Sequence, residues 1–403
     1  MTVLILIVLI FSTLGAVDYV IGNKLGVGAE FERAFKLFSA MALSMIGMIV
    51  LAPAIAELLK PTLGFFSDFL HLDPSILPAM LLANDMGGAP LASQVALDEK
   101  IGMFNGLVVS SMMGCTVSFT IPFALGLVAK ENHKQLCLGL LCGVVTIPIG
   151  CLIGGVMCRI PILTLLLDLL PLIIFSVFIA IALLFFPNAC VKVFKVFGFA
   201  VNALIILGLM LGIYNFLVAK ITPVEIGGRS LDIPPIPVID TVEEGAMVCL
   251  NASIVMTGMF PLVTLVSRLL NKPLKALGAR LGIDEKSAIG IVASLATSAT
   301  SFGMMNQMNK KGMMVNSAFA VAGAFTFCSH MAFTMAFPGG KDYLAPMIVG
   351  KLVSGAASLG LSFMLYPDQR EHQGLLQDHQ RYLRGRCRHR LYLARLGRPH
   401  GIR

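Results

Sequence analysis

Charged residues are scarce in this sequence: they make up 13% of the 403 residues, whereas hydrophobic residues make up 57%. A soluble domain carries about 25% charged residues, so an ordinary water-soluble fold is excluded. Tryptophan is absent, which removes the strongest aromatic partner for a bound cation. The sequence also lacks a P-loop, an HExxH helix and a CxxC pair. It therefore predicts no direct use of ATP, no metal site, no cofactor and no catalytic residues.

Long apolar runs fill the chain instead. A membrane-spanning helix needs about 20 apolar residues, and nine runs reach that length. They are residues 1–21, 35–59, 101–129, 135–158, 161–186, 193–219, 243–270, 313–337 and 343–366. Two further runs, 76–97 and 287–308, are apolar but interrupted by polar and glycine residues. The sequence predicts an all-α polytopic membrane domain over residues 1–367, with about nine spanning helices and two broken segments in a lipid bilayer.

The chain resembles itself at an offset near 211 residues. The matching pairs are Gly47 with Gly258, Leu70 with Leu281, Leu72 with Ile283, Asp73 with Asp284, Lys60-Pro61 with Lys272-Pro273, and Gly102 with Gly312. Chance supplies any one match, but six in the same order indicate a duplicated unit. We expect repeat one at about residues 1–158 and repeat two at about 193–366.

The distribution of positive charge predicts how the broken segments cross the membrane. Cytoplasmic loops carry the excess of Lys and Arg. If both broken segments span, the 20 basic residues outside the last span divide 11 to 9, whereas two re-entrant hairpins divide them 14 to 6. The larger asymmetry favours re-entrant hairpins, inverted repeats and an outside N-terminus. Inverted repeats with broken helices near the midplane are a recurring plan of secondary transporters.

The first broken segment contains Asn84 and Asp85, followed by two glycines and Pro90. Glycine and proline make a continuous helix costly at this point. A charge at a helix break within the membrane usually marks a solute or ion path, so Asp85 and Asn84 are predicted to bind substrate. The alternative is that Asp85 caps the next half-helix at the membrane surface.

Hydroxyl groups occupy the second broken segment, and a few polar residues lie in other runs. The remaining predicted substrate-binding residues are Thr297, Ser298, Thr300, Ser301, His330 and Asn251. The hydroxyls have an ordinary alternative role, because Ser and Thr also bond the backbone of their own helix. His330 is the one histidine inside an apolar run. It suits proton transfer, although a lone buried histidine is more often a structural hydrogen-bonding group.

Residues 368–403 differ from the rest of the chain. They hold nine Arg and no Lys, whereas the body holds 16 Lys and 5 Arg. This tail supplies most of the net charge of +8, so the charge does not indicate nucleic-acid binding. We expect a basic, disordered tail that either binds anionic headgroups or is an out-of-frame extension.

Several strings resemble the ethanolamine permease family, EutH, of bacterial ethanolamine-utilisation operons. They are LLANDMGGAPLA (81–92), VTIPIGCLIGG (145–155), FGMMNQM (302–308) and PMIVGKL (346–352). The similarity runs from about residue 15 to about 367. It implies a multi-pass protein of the bacterial plasma membrane that brings in ethanolamine for a cobalamin-dependent lyase inside a microcompartment. An acidic residue often precedes the histidine in this family, whereas Ser329 stands there in this chain.

Ethanolamine is a small ammonium alcohol, and Asp85 with Asn84 beside the hydroxyl-rich segment matches its chemistry. Without tryptophan, a carboxylate has to supply more of the recognition. The alternatives are a transporter of another small amine or an amino acid, and a non-transporting membrane anchor or enzyme of the same pathway. Facilitated diffusion, proton coupling and sodium coupling all agree with the sequence.

Truncation after Pro367 should leave transport nearly normal, because the tail contains no apolar run that could pack into the membrane domain. Uptake of radiolabelled ethanolamine by the truncated protein, normalised to the inserted amount, measures this. A modest loss of expression would follow from removing arginines that bias topology. A truncated protein that inserts correctly but does not transport would show that the tail is a functional element.

Overall fold

A computed structural model of the protein describes residues 2–70, 72–220, 224–226, 229–231 and 233–366. These residues are helical apart from loops and a short antiparallel ribbon of β1 (Val224–Ile226) and β2 (Arg229–Leu231). The α-helices are α1 (Thr2–Val20), α2 (Gly28–Leu70), α3 (Ile76–Leu81), α4 (Gly88–Val95), α5 (Glu99–Phe104), α6 (Ile121–Leu127), α7 (His133–Met157), α8 (Ile162–Asp168), α9 (Leu170–Phe185), α10 (Pro187–Val218), α11 (Val242–Leu281), α12 (Glu285–Ala296), α13 (Ser298–Met304), α14 (Lys310–Ala322), α15 (Ser329–Ala336) and α16 (Leu344–Leu365). The shorter segments are the 3-10 turns Asn84–Met86, Lys130–Asn132, Met305–Gln307 and Gly340–Tyr343, and the π-helical segments Asn105–Gly114 and Thr116–Thr120. The tail from residue 368 lies outside the described residues.

Eight helical stretches of the described chain are long and apolar enough to cross a membrane. They are Thr2–Val20, Gly28–Leu59, Glu99–Leu127, Lys130–Met157, Ile162–Phe185, Pro187–Val218, Val242–Leu269 and Gly340–Leu365. The prediction of an all-α polytopic membrane protein is confirmed. Burial is greatest in Glu99–Leu127, the stretch that contains both π-helical segments. This stretch therefore lies at the centre of the fold.

The structure differs from the sequence prediction at the run 313–337, for which the sequence predicts one spanning helix. Helix α14 ends at Ala322 and α15 begins at Ser329, so neither piece is long enough to span. Phe325 between them has a positive φ of 61°, which is uncommon for a residue with a side chain. The N–H groups of Phe325 and Phe327 donate to carbonyls at the end of α12, Ser294 at 2.9 Å and Leu295 at 3.0 Å. These bonds stabilise a break that the apolar composition does not reveal.

Each of the two predicted broken segments has its ends joined by an aspartate. The Asp73 carboxylate accepts from the N–H groups of Leu97 and Asp98, both at 3.0 Å. In the second half, the Asp284 carboxylate accepts from the N–H of Asn309 at 3.3 Å. These contacts are related by the offset of 211. They support the prediction that each segment returns to the side from which it started.

The two halves also pack across each other. An added Cβ on Gly47 of α2 would lie 1.9 Å from the Ile205 carbonyl oxygen of α10, and one on Gly258 of α11 would lie 2.2 Å from the Val8 carbonyl oxygen of α1. Glycine at these matched positions therefore permits close helix contact. The first helix of each half packs against the second helix of the other. The inverted orientation of the halves in the bilayer stays a prediction.

Cysteine labelling would measure the orientation of the first broken segment, in a background lacking the nine native cysteines. Cysteines at Pro61 and Leu97, both exposed, should react with a membrane-impermeant maleimide from the same side. A cysteine at exposed Glu131 should react from the opposite side, because one spanning stretch separates it from Leu97. Labelling of Pro61 and Leu97 positions from opposite sides would mean that residues 76–97 span the membrane.

Candidate functional site

The first break is held open by hydroxyl groups of the neighbouring π-helical stretch. Helix α3 ends at Leu81, and the Leu82 carbonyl accepts from the Ser110 hydroxyl at 2.5 Å. The Ala83 N–H donates to the Ser118 hydroxyl at 3.1 Å. Unwound backbone at membrane depth persists only where protein or a water-filled cavity satisfies its polar groups. The two serines therefore allow the chain to leave the helix just before Asn84.

Glycine is required at both positions that follow the 3-10 turn. Gly87 has a φ of +104°, a left-handed conformation that glycine adopts without steric cost. An added Cβ on Gly88 would lie 1.9 Å from the Ser110 hydroxyl oxygen and 2.3 Å from the Leu82 carbonyl oxygen. The two glycines of the Asp-Met-Gly-Gly string are thus explained by backbone geometry. These constraints position the turn that carries Asp85.

Asp85 lies on a turn that packs against α15, and it interacts with one residue of α16. Its side chain is half-buried, the Ser329 hydroxyl of α15 lies beside its carboxyl group, and the Lys351 ammonium of α16 is close enough to interact with it electrostatically. Lys351 is 1% exposed and donates to the Ser111 carbonyl at 2.7 Å. Among the described residues, no carboxylate lies within 4 Å of Lys351. Asp85 is therefore close to a cation without being held in a direct ion pair.

Buried polar atoms without hydrogen-bond partners occur on the 3-10 turn that carries Asp85 and on the neighbouring helix α15. They are both amide atoms of Asn84, His330 Nδ1 and Thr334 Oγ1. The 3-10 turn of Asn84 packs against α15, which carries the other two residues. Buried polar atoms are nearly always paired in proteins, so such a group of unpaired atoms indicates a place where a polar molecule can bind. We refer to Asn84, Asp85, Ser329, His330 and Lys351 as the central site.

An aromatic surface adjoins the central site. The Phe325 ring lies with its centroid 5.1 Å from that of His330, and Phe119 meets Phe325 edge-on at 5.6 Å. Both phenylalanines are half-buried. The faces of such rings attract cations. The break between α14 and α15 therefore supplies a second feature that suits a cationic solute.

The hydroxyls of the second break have different environments. Thr297 is the N-cap of α13, where its hydroxyl accepts from the Ala299 N–H at 3.3 Å. The Ser301 hydroxyl donates to the Asn316 side-chain carbonyl at 2.9 Å. Ser298 is buried and its hydroxyl has no partner, whereas Thr300 is exposed. Thr297 and Ser301 thus make hydrogen bonds within the protein, whereas the buried Ser298 hydroxyl has no partner. Substrate binding by these hydroxyls stays a prediction.

Thr297 and Thr300 open into a separate cavity of about 310 Å³, which Glu30 and Arg33 also line. Among the described residues, no hydrogen bond joins the hydroxyls of the second broken segment to Asp85. The predicted meeting of the hydroxyls with Asp85 therefore stays a prediction. The sequence linked the two breaks only through the repeat, whereas in the structure it is α15 that packs beside the first break.

Asn251 lies outside the central site. It is exposed and lines a cavity of about 680 Å³ whose walls also carry Glu99, Asp240 and Glu244. Burial raises the pKa of the Asp240 carboxyl above its ordinary value, and the neighbouring Glu244 charge raises it further. We refer to this as the acidic cavity. Its negative walls would concentrate cations near the protein.

Lys351 is the functional candidate that the sequence prediction missed. It is a lone lysine inside the apolar run 343–366, and intramembrane ionisable residues are functional candidates by default. That signal was available in the sequence. The sequence did not reveal which residues surround Lys351, because Ser111 and Asp85 are more than 200 residues away along the chain.

Comparison with known proteins agrees with these features. A profile of the family described as "Ethanolamine utilisation protein, EutH" matches residues 1–365. The chain belongs to the EutH family. The family resemblance predicted from the sequence motifs is thus confirmed, and the chain is a multi-pass protein of the bacterial plasma membrane.

Several curated EutH-like proteins match over most of their length. "Probable ethanolamine permease EutH" of Listeria monocytogenes serotype 1/2a (strain 10403S) is 39% identical over 363 residues, which are 90% of this chain and 93% of that protein. The protein of the same name from Escherichia coli (strain K12) is 36% identical, over 85% of this chain and 86% of its own. "Uncharacterized protein YxeR" of Bacillus subtilis (strain 168) is 36% identical, over 90% and 94%. No solved structure matches the chain.

Gly88→Ala should destabilise the protein, because the new Cβ would overlap the Ser110 hydroxyl and the Leu82 carbonyl. Overpacking of this kind costs about 1–3 kcal/mol. Thermal unfolding in detergent should show a lower midpoint for the variant. Gly126→Ala is the matched control, since nothing lies within 4 Å of its added Cβ. Equal midpoints for Gly88→Ala and wild type would contradict the close packing of Gly88 against Ser110.

Proposed function

We propose that this protein carries ethanolamine, in its ammonium form, into the bacterial cytoplasm. The observation that carries the proposal is Asp85, a carboxylate at an unwound break in the membrane domain, among buried polar atoms without partners. The name "Probable ethanolamine permease EutH" of several relatives supports the same substrate. That name also favours a transporter over an enzyme.

The central site can bind both ends of ethanolamine. The Asp85 carboxylate would accept hydrogen bonds from the ammonium group, and such charge-assisted bonds are about twice as strong as neutral ones. The Asn84 amide and the Ser329 hydroxyl can each donate to and accept from the alcohol. The Phe325 ring supplies a weaker attraction for the cation. Recognition of this solute therefore needs both a charge and a neutral polar group within one small site.

Lys351 has a specific role in this proposal. A buried carboxylate without a nearby cation would be strongly destabilised, and Lys351 offsets the Asp85 charge when no solute is bound. Its bond to the Ser111 carbonyl holds the ammonium apart from Asp85, so a solute cation need not break a direct ion pair. The same positive charge opposes very tight binding, which favours release of the solute.

The acidic cavity supplies an entrance suited to cations. Its three carboxylates belong to α5, to the loop before α11 and to α11 itself. In the predicted topology this cavity opens outside the cell, whereas the cavity at Thr297 and Thr300 opens toward the cytoplasm. Transport by alternating access requires an opening on each side of a central site.

Asp85→Asn should reduce ethanolamine uptake by about 10- to 100-fold, since it removes a charged hydrogen bond of about 1.5–3 kcal/mol. Proteoliposomes containing the purified variant and radiolabelled ethanolamine would measure this. Glu131→Gln, which neutralises an exposed loop carboxylate, is the matched control and should transport normally. Normal uptake by a folded Asp85→Asn protein would assign Asp85 a structural role.

Competition by unlabelled solutes in the same assay separates the alternatives. Ethanolamine should inhibit uptake more strongly than other small amines or amino acids. Stronger inhibition by a different amine would mean that the protein is a transporter whose preferred substrate is that amine. Absence of uptake for every solute would favour a membrane anchor or an enzyme of the ethanolamine pathway.

A further inference from the structure

A buried carboxyl group with an unpaired oxygen lies away from the central site. Asp168 at the end of α8 is 4% exposed, and its Oδ1 accepts from the Asn105 amide nitrogen at 3.1 Å. Asn105 begins the first π-helical segment, and its amide nitrogen also donates to the Ser75 hydroxyl at 2.9 Å. Asn105 and Ser75 are fully buried. Three separate elements therefore meet at this carboxyl group.

Two oxygens of this cluster have no hydrogen-bond partner: Asp168 Oδ2 and Asn105 Oδ1. In the described part of the chain, no basic side chain lies within 4 Å of Asp168. The titratable groups that face it are Asp73, which precedes α3, and Cys151 of α7. A neighbouring carboxylate destabilises a second negative charge, and an unpaired buried carboxylate is very costly.

A proton on Asp168 Oδ2 removes both the repulsion from Asp73 and the cost of an unpaired buried charge. The group becomes neutral, and Oδ2 becomes a hydrogen-bond donor. Asn105 Oδ1 can then accept a hydrogen bond from this protonated oxygen. Asn105 already donates to Asp168 through its amide nitrogen. The amide and the acid would form two reciprocal hydrogen bonds. A metal cation fits less well, because hard cations bind about six or more oxygens and only two unpaired oxygens are present.

The second half of the protein offers an internal comparison. Asn316 lies 211 residues after Asn105, and its side chain is completely bonded without any titratable group. Its Oδ1 accepts from the Ser301 hydroxyl, and its amide nitrogen donates to the carbonyls of Ser287 and Gly312, each at 2.9 Å. A neutral partner is therefore enough to hold this asparagine. The carboxyl group of Asp168 needs another explanation.

The cluster is connected to the central site by the π-helical segment. Asn105 begins this segment, Ser110 further along it bonds the first break, and the Ser111 carbonyl accepts from Lys351. Cys151 is near enough to both Asp168 and Lys351 to interact with each. A change at Asp168 can thus reach the central site through one continuous helix.

We propose that Asp168 is the proton-binding site that couples ethanolamine uptake to the proton gradient, an inference that rests on the proposed transport function. Hydronium from the outside gives its proton to the carboxylate, which leaves water and a neutral acid. The acid then pairs with Asn105, and release of the proton to cytoplasmic water completes the cycle. No other bond forms or breaks.

Proteoliposomes with radiolabelled ethanolamine and a clamped membrane potential would test the proposal. For wild type, an acidic outside should drive accumulation above equilibrium, whereas equal pH should allow equilibration only. Asp168→Asn mimics the neutral acid, so it should equilibrate ethanolamine without accumulating it and should lose the pH dependence. Asn316→Ser is the matched control for loss of an inter-helix bond, and its folded fraction should keep the pH dependence.

The outcomes separate the two proposals. No ethanolamine uptake by wild type under any gradient would overturn the transport function itself. Wild-type uptake that ignores the pH gradient or follows a sodium gradient would overturn proton coupling alone. Accumulation by Asp168→Asn equal to wild type would show that the proton binds elsewhere.

If Asp168→Asn does not fold, carbodiimide labelling of wild-type protein decides. This reagent modifies protonated carboxyl groups in apolar surroundings, and mass spectrometry locates the adduct. Labelling of Asp168 that falls as the pH rises supports the proposal. Labelling of other buried carboxyl groups but never of Asp168 would count against it.

Discussion

Hydrogen bonding of unwound backbone inside the membrane is the constraint on which this structure depends. Lipid offers no partners for free N–H and C=O groups, and each unsatisfied group costs several kcal/mol. At the first break, Ser110 and Ser118 supply hydroxyls to the backbone of Leu82 and Ala83. In the second half, the backbone of the break between α14 and α15 bonds the end of α12. The breaks therefore exist because neighbouring elements complete their hydrogen bonding, and polar side chains at depth follow from the breaks.

The same constraint explains the small residues around the breaks. An added Cβ on Gly114 would lie 1.9 Å from the Leu82 carbonyl oxygen, so the π-helical segment approaches the first break closely. Such contact brings Ser110 within hydrogen-bonding distance and places Asp85 beside α15 and α16. The packing of these glycine and serine residues thus determines where a carboxylate can lie in the membrane and which groups contact it.

The sequence predicted the features that appear as local interruptions of an apolar pattern. The first break was visible because Gly87, Gly88 and Pro90 disfavour a helix, and Asp85 stood out as a charge within it. The break at residues 323–328 was missed because its composition is apolar and its bonds come from α12. Lys351 carried a signal, but its partner Ser111 lies 240 residues earlier. Likewise, Ser301 and Thr297 could be assigned structural bonds only after α13 and α14 were placed. Side-chain partners depend on tertiary contacts that periodicity does not contain.

The two halves share their scaffold contacts and differ in their charges. Asp73 and Asp284 join the ends of equivalent segments. Asp85, however, has a counterpart segment with hydroxyls only, and the cluster of Asp168 and Asn105 corresponds to a neutral cluster at Asn316. The two halves thus have one set of bonds in common and differ in another, as we expect of the predicted duplication. Asp85 and Asp168 both lie in the first half, whereas Lys351, which interacts with Asp85 electrostatically, lies in the second. The charges of the central site therefore come from both halves.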